Sequence, residues 1–185
     1  MDCWLFGYGS VIWRPSFPFV ESRPAIARDV ARRHHQASEY HRGVPGAPGR
    51  VVTLVAHAGG RCLGLAYRIA RDEVDATIAH LDVREQGGYA RTTLAITLDD
   101  GRAVEALSYV AEPGNSLDLG SASVDAIVAQ VARARGPSGA NAEYVLRLAE
   151  ALRALRHPAI DADEVARQDL HLFAIESRVR ALTRA

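Results

Sequence analysis

Two stretches carry residue types and spacings that suit chemistry: the glycine loop Gly7-Tyr8-Gly9-Ser10-Val11-Ile12 and the run Arg84-Glu85-Gln86-Gly87-Gly88-Tyr89. Glu85 falls at the end of a helical pattern, beside two glycines and an aromatic. A carboxylate at a helix C-terminus faces the negative end of the dipole, and partial burial raises its pKa further. Such a group suits proton transfer near neutrality. The plainer alternative is a surface pair with Arg84 or Arg91. The glycine loop fails as a dinucleotide fingerprint, because its third glycine is missing and prolines follow it instead of a helix. It fails as a nucleophile elbow too, since Ile12 stands where Gly-x-Ser-x-Gly needs its last glycine. What remains is either a structural turn or a glycine turn whose backbone N–H groups face an anionic ligand.

Other chemistries drop out by composition. All of the 22 basic residues are arginine, which removes lysine Schiff bases, phosphate-loop lysines and serine-lysine dyads. His34, His35 and His41 lie close together without a metal-ligand interval, and a solvated loop is expected for them. Cys3 and Cys62 form no Cys-x-x-Cys pair, lie in apolar runs and read as inert thiols. With 22 acids against 22 bases, the chain lacks the positive excess on which nucleic-acid and membrane-surface binding usually rest. Asp2 stands where a signal peptide has its positive charges, and no run reaches the ~18 apolar residues of a membrane span. A cytoplasmic, monomeric protein is expected.

The elements that must position these residues can be read from pattern. At 185 residues and 48% hydrophobic, one domain with its own core is expected over the whole chain. Cys3 to Tyr8 reads as a buried strand delivering the glycine loop. Pro24 to Ser38 looks helical by composition, though without a defined apolar face. Val51–Ala56 and Cys62–Ile69 flank Gly59-Gly60 and predict a hairpin. A helix is expected from Asp72 to Glu85, with Val74, Ile78 and Leu81 on its apolar face. A second hairpin turns at Asp99-Asp100-Gly101. From about residue 121 the pattern is helical, in segments Ser121–Ala134, Ala140–Leu155 and Asp163–Leu182. Strands first and helices last argue for an α+β fold.

Together these stretches resemble the ChaC-type γ-glutamylcyclotransferases. The resemblance rests on Trp4-Leu5-Phe6-Gly7-Tyr8-Gly9-Ser10-Val11-Ile12-Trp13-Arg14-Pro15, on His41-Arg42-Gly43 through Pro48-Gly49-Arg50-Val51-Val52-Thr53-Leu54, and on Leu81 through Tyr89. Tyr109-Val110-Ala111, Asn115 to Gly120 and Ser138 to Tyr144 extend it. One departure is Val11, where leucine is expected in the loop. The resemblance implies a small mixed, largely antiparallel β-barrel with surrounding helices, and it makes Pro24–Ser38 extended.

It also implies a reaction. Family members convert a γ-glutamyl amide, typically glutathione, into 5-oxoproline and the released amine by attack of the substrate's own α-amino group on its γ-carbonyl. By resemblance Glu85 is the general base and acid, and Tyr8, Gly9, Ser10 and Val11 anchor the glutamyl moiety through backbone N–H groups. Tyr89 and Tyr109 are candidates for further substrate hydrogen bonds, with core packing the alternative. No metal or cofactor is implied, and the expected partner is the small-molecule substrate. Other γ-glutamyl amides, or non-catalytic binding of such compounds, are the competing readings.

Overall fold

The structure, a computed structural model, describes residues 3–183, so the acid at Asp2 lies outside the described residues. Strands β1 (Cys3–Gly7), β2 (Glu21–Ser38), β3 (Gly49–Ile69), β4 (Tyr89–Leu98) and β5 (Ala103–Ala111) close into a barrel in the order β1-β3-β2-β4-β5. All neighbours run antiparallel except β1 and β5, whose parallel contact at Leu5 and Leu107 closes the ring. The fold is therefore the mixed, largely antiparallel barrel of the α+β class.

Two expectations from composition are corrected. Pro24–Ser38 is strand, not helix: β2 pairs with β3 over most of its length and with β4 at Ala25–Ala27. Burial on both faces removes the alternation that marks a strand. The hairpin at Gly59-Gly60 is absent, because Val51–Ala56 and Cys62–Ile69 belong to one strand, β3, along β2. Residues 57–60, the two glycines among them, bulge out of β3 opposite the single residue Asp29, between the pairs Arg28↔Arg61 and Val30↔Ala56. Gly59, at φ 74°, donates its N–H to Asp29 Oδ1 at 2.9 Å. A Cβ on Gly60 would lie 2.6 Å from the Val30 carbonyl oxygen. The β4–β5 hairpin forms as expected, with Gly101 at φ 85° in its turn.

Helix α1 (Val74–Arg84), preceded by a 3₁₀ turn at Arg71–Glu73, seats Leu81 in a cluster with Leu5, Phe17, Tyr67, Ile69 and Tyr109. Its last turn thereby reaches the end of the barrel from which the glycine loop emerges. Helix α2 (Val124–Arg133) is capped by Ser123, whose Oγ accepts from the Ala126 N–H. A two-stranded hairpin, β6 (Arg135–Gly136) and β7 (Gly139–Ala140), leads to α3 (Asn141–Ala154), and α4 (Ala162–Gln168) and α5 (Leu170–Leu182) follow. The long C-terminal helix expected from Asp163 is broken at Asp169, which sits at φ −104° and ψ 25°. Ile127, Val131, Val145, Leu148, Leu172, Ile175 and Val179 pack these helices on the barrel as one core.

His34 overturns the solvated-loop expectation. It lies on β2, 1% exposed, and burial together with the nearby His171 and Arg50 lowers its pKa to about 3. His41 is exposed, as expected. Cys62 is buried, and burial pushes its thiol up to about 12.

Candidate active site

Where the C-terminal ends of β1, β2 and β5 meet the first residues of β3 and β4, a cavity of about 670 Å³ opens. Tyr8, Gly9, Ser10, Val11, Glu85, Tyr89 and Tyr109 all line it, so residues up to a hundred positions apart share one wall.

Beyond β1 the loop turns at Gly9 into a single 3₁₀ turn, Ser10–Ile12, tied by Ile12 N–H to the Gly9 carbonyl at 3.0 Å. Among the described residues, no hydrogen-bond acceptor is found for the N–H groups of Gly9, Ser10 and Val11. Three unpaired donors in succession, at a cavity wall, form a nest suited to a carboxylate or a developing oxyanion. The space at Gly9 is tight: a Cβ there would lie 3.3 Å from the Tyr144 hydroxyl, which would have to give by a few tenths of an ångström, and 3.4 Å from Val52 Cγ2.

The loop is held from behind by a buried ion pair that the sequence did not reveal. Arg32 on β2 is fully enclosed; its Nε donates to the Tyr8 carbonyl at 2.7 Å and its Nη1 to Asp169 Oδ2 at 2.6 Å. Asp169 thus breaks the C-terminal helix and anchors the glycine loop through one arginine.

Glu85 caps α1, its N–H donating to the Leu81 carbonyl at 2.8 Å. Its side chain is 20% exposed. Burial raises its pKa above the ordinary 4.5, while Arg84 and His41 pull in the opposite direction. The Arg84 Nε stands 3.3 Å from Glu85 Oε1, so the surface-pair alternative is partly right: the pair exists, in the cavity wall and not in open water. The chain beyond Glu85 is fixed by Gln36, whose Nε2 donates to the Gly87 carbonyl at 2.7 Å and to Asn115 Oδ1 at 2.9 Å. Gly88, at φ 87°, has Gln36 Nε2 2.6 Å from where a Cβ would stand, with Asn115 Oδ1 beside it.

Four tyrosines surround the carboxylate. The hydroxyls of Tyr8, Tyr89 and Tyr109 donate to the Tyr109 carbonyl, the Val52 carbonyl and Asp82 Oδ1, each at 2.7 Å. Tyr144 on α3 accepts from the Val52 N–H at 3.3 Å and packs edge-on to Trp13. Burial raises all four phenol pKa values, that of Tyr144 to about 12, so the rings stay neutral and bring no charge to compete with Glu85.

The ChaC-like protein family matches residues 3–182. The chain belongs to that family. Among ChaC-like relatives, glutathione-specific γ-glutamylcyclotransferase 1 of Homo sapiens is 39% identical over 95% of this chain and 78% of its own length. γ-Glutamylcyclotransferase 2-3 of Arabidopsis thaliana is 37% identical over 94% of this chain and 92% of its own. The crystal structure of a yeast γ-glutamyl cyclotransferase specific to glutathione superposes with a TM-score of 0.84 at 25% identity, covering 95% of this chain and 96% of that one.

Much of what carries the family resemblance turns out to be scaffolding. The Asn141 side chain pairs with the backbone N–H and carbonyl of Arg50, at 2.6 and 3.0 Å, as a neighbouring strand would. Arg50 Nη1 in turn donates to the His34 and Gly120 carbonyls at 2.6 and 3.1 Å. Sequence reasoning missed Arg84, Tyr144, Arg32 and Gln36 as site residues. Arg84 gave a signal by its adjacency to Glu85, and Tyr144 by closing the stretch Ser138 to Tyr144 that extends the resemblance. Among the described residues no cluster of histidine, cysteine and carboxylate side chains could hold a metal, and no helix is long and apolar enough to cross a membrane.

Proposed function

We propose that this ChaC-like chain is a γ-glutamylcyclotransferase that converts glutathione to 5-oxoproline and cysteinylglycine. One observation carries the reading: Glu85, its pKa raised by burial, shares a cavity with three successive unpaired backbone donors, at Gly9, Ser10 and Val11. The glutathione specificity stated for the human and yeast relatives supports the choice of substrate.

The chemistry follows from atom balance. The α-ammonium must lose two protons to become a lactam N–H, and the departing amide nitrogen must gain two to become an ammonium. Glu85 takes the first, freeing a lone pair to attack the γ-carbonyl carbon. The C–N bond of the ring forms, and negative charge passes to the carbonyl oxygen, which the donors of the glycine loop receive. Collapse breaks the bond to the cysteinyl nitrogen as the Glu85 carboxyl hands it the first proton, and the carboxylate so restored carries the second from the new ring nitrogen to the released amine, being base and then acid in each transfer. No water is added. The phenolic oxygens of Tyr89 and Tyr109 have their own protons engaged, which leaves lone pairs to accept from the substrate's N–H groups.

The test incubates the protein with glutathione, beside a Glu85→Gln control, and follows both products by mass spectrometry. Both products with the parent protein alone support the reading. Silence on glutathione with turnover of other γ-glutamyl amides keeps the chemistry and changes the substrate, whereas silence throughout leaves only binding.

A further inference from the structure

Arg84 lies in the cavity wall with its side chain 14% exposed, and every nitrogen of its guanidinium has an assignment. Nη1 donates to the carbonyl oxygens of Arg14 and Pro15 at 2.8 and 3.0 Å and to Ser16 Oγ at 2.7 Å. Nη2 donates to Ser10 Oγ at 3.0 Å, and Nε faces Glu85 at 3.3 Å. Four of these contacts fall on the segment from Ser10 to Ser16, which carries two of the three unpaired donors, and the fifth falls on the carboxylate. Both halves of the site are thus gripped by one planar, rigid group.

We propose that Arg84 is a positioning residue that sets the placement of the glycine loop relative to Glu85 and supplies the positive charge beside that carboxylate. The inference rests on the reading of Glu85 as the base. The fork has no lysine equivalent: an ammonium could face Glu85 but could not reach four acceptors spread over the loop.

The groups bearing on Glu85 come from every side. They are Arg84 on its own helix, His41 from the β2–β3 connection, and the neutral phenols of Tyr8, Tyr89, Tyr109 and Tyr144. Among the cations, Arg84 exerts the larger pull, and His41 the lesser. Loss of the Arg84 charge therefore leaves burial less opposed, and the carboxylate holds its proton to higher pH.

Two variants separate placement from charge. Arg84→Gln removes both, and Arg84→Lys keeps the charge alone. For Arg84→Gln, the acidic limb of kcat/KM against pH is expected to move upward, with KM for glutathione raised tenfold or more. For Arg84→Lys, KM is expected to rise comparably while the limb stays near its parental position. Near-UV circular dichroism checks folding. A role confined to stability would lower Tm in both and move neither readout below the melting range, which would overturn the proposal. Should Arg84→Gln not fold, Arg84→Lys and Ser16→Ala carry the test, and parental KM in both would overturn it. The Glu85→Gln control stands apart: parental turnover there refutes the reading of the base, whatever the arginine variants show.

Discussion

Replacing Asp169 with leucine would strand the Arg32 guanidinium, a charge with none of its side chain exposed. Two carbonyl acceptors remain to it, those of Tyr8 at 2.7 Å and Leu63 at 2.5 Å, but no counter-charge. Breaking one side of such a pair costs about 3–5 kcal/mol. That is a large part of the ~5–15 kcal/mol that holds an ordinary domain folded. Arg32→Met should cost a similar amount, since it leaves the buried Asp169 carboxylate alone. The double variant removes both charges and leaves mainly the Tyr8 and Leu63 carbonyls short of a donor, for about 1–3 kcal/mol. The singles should therefore sum to far more than the double, a coupling of several kcal/mol. Urea unfolding of the four proteins measures it, with m-values held constant as the check on two-state behaviour. Additive single effects would refute the reasoning, because independent side chains show no coupling. The same four proteins also report on the loop: where Arg32 no longer holds the Tyr8 carbonyl, KM should rise even in the double variant.

Glu85→Gln should lower kcat by about 10²- to 10⁴-fold with a smaller change in KM, read from initial rates on glutathione. In the parent, kcat/KM should fall as pH drops through the Glu85 pKa, and burial places that limb above 4.5, so a limb at or below 4.5 would contradict the desolvated carboxylate. The folded state binds the Glu85 proton more tightly than the unfolded chain, so ionisation weakens folding above that pKa, and thermal melts at neutral pH should show Glu85→Gln no less stable than the parent. Gly88→Ala should cost at least about 2 kcal/mol, since φ 87° disfavours any side chain and a Cβ there would press on Gln36 and Asn115. Its kcat should fall as well, because the residues it displaces hold the chain beyond Glu85. In a Cys3→Ser background, Cys62 should react with a thiol reagent only after denaturant is added, its thiol being buried and pushed up to about 12.

Local signals in the chain were reliable where one short segment decides the outcome. Asp99-Asp100-Gly101 permits a tight turn whatever surrounds it, and α1 announces its own end with Gly87-Gly88. The misreadings share a different cause. Gly59-Gly60 suits a turn and a bulge equally well, and the partner strand with Asp29 selects the bulge. Pro24–Ser38 has helical composition but becomes strand because β3 pairs with most of its length and β4 with Ala25–Ala27. His34 is buried by that same pairing. Within the site, the chemically suggestive residues Glu85 and Gly9 could be picked out from neighbours in the chain. Arg84 is marked only by its neighbour Glu85, its contacts on the loop lying about seventy positions away, and Arg32 is not marked at all, its counter-charge Asp169 lying more than a hundred positions on.

The link from Tyr8 through Arg32 to Asp169 joins opposite ends of the described chain. During synthesis the glycine loop leaves the ribosome well before its anchor does, because Tyr8 precedes Asp169 by most of the described chain. The loop therefore waits, incompletely fixed, until α4 and the break at Asp169 have emerged and docked. A chain stalled or cut before that point would carry Glu85 and every loop residue and still lack a settled cradle, so the order of translation itself delays activity until Asp169 has been made.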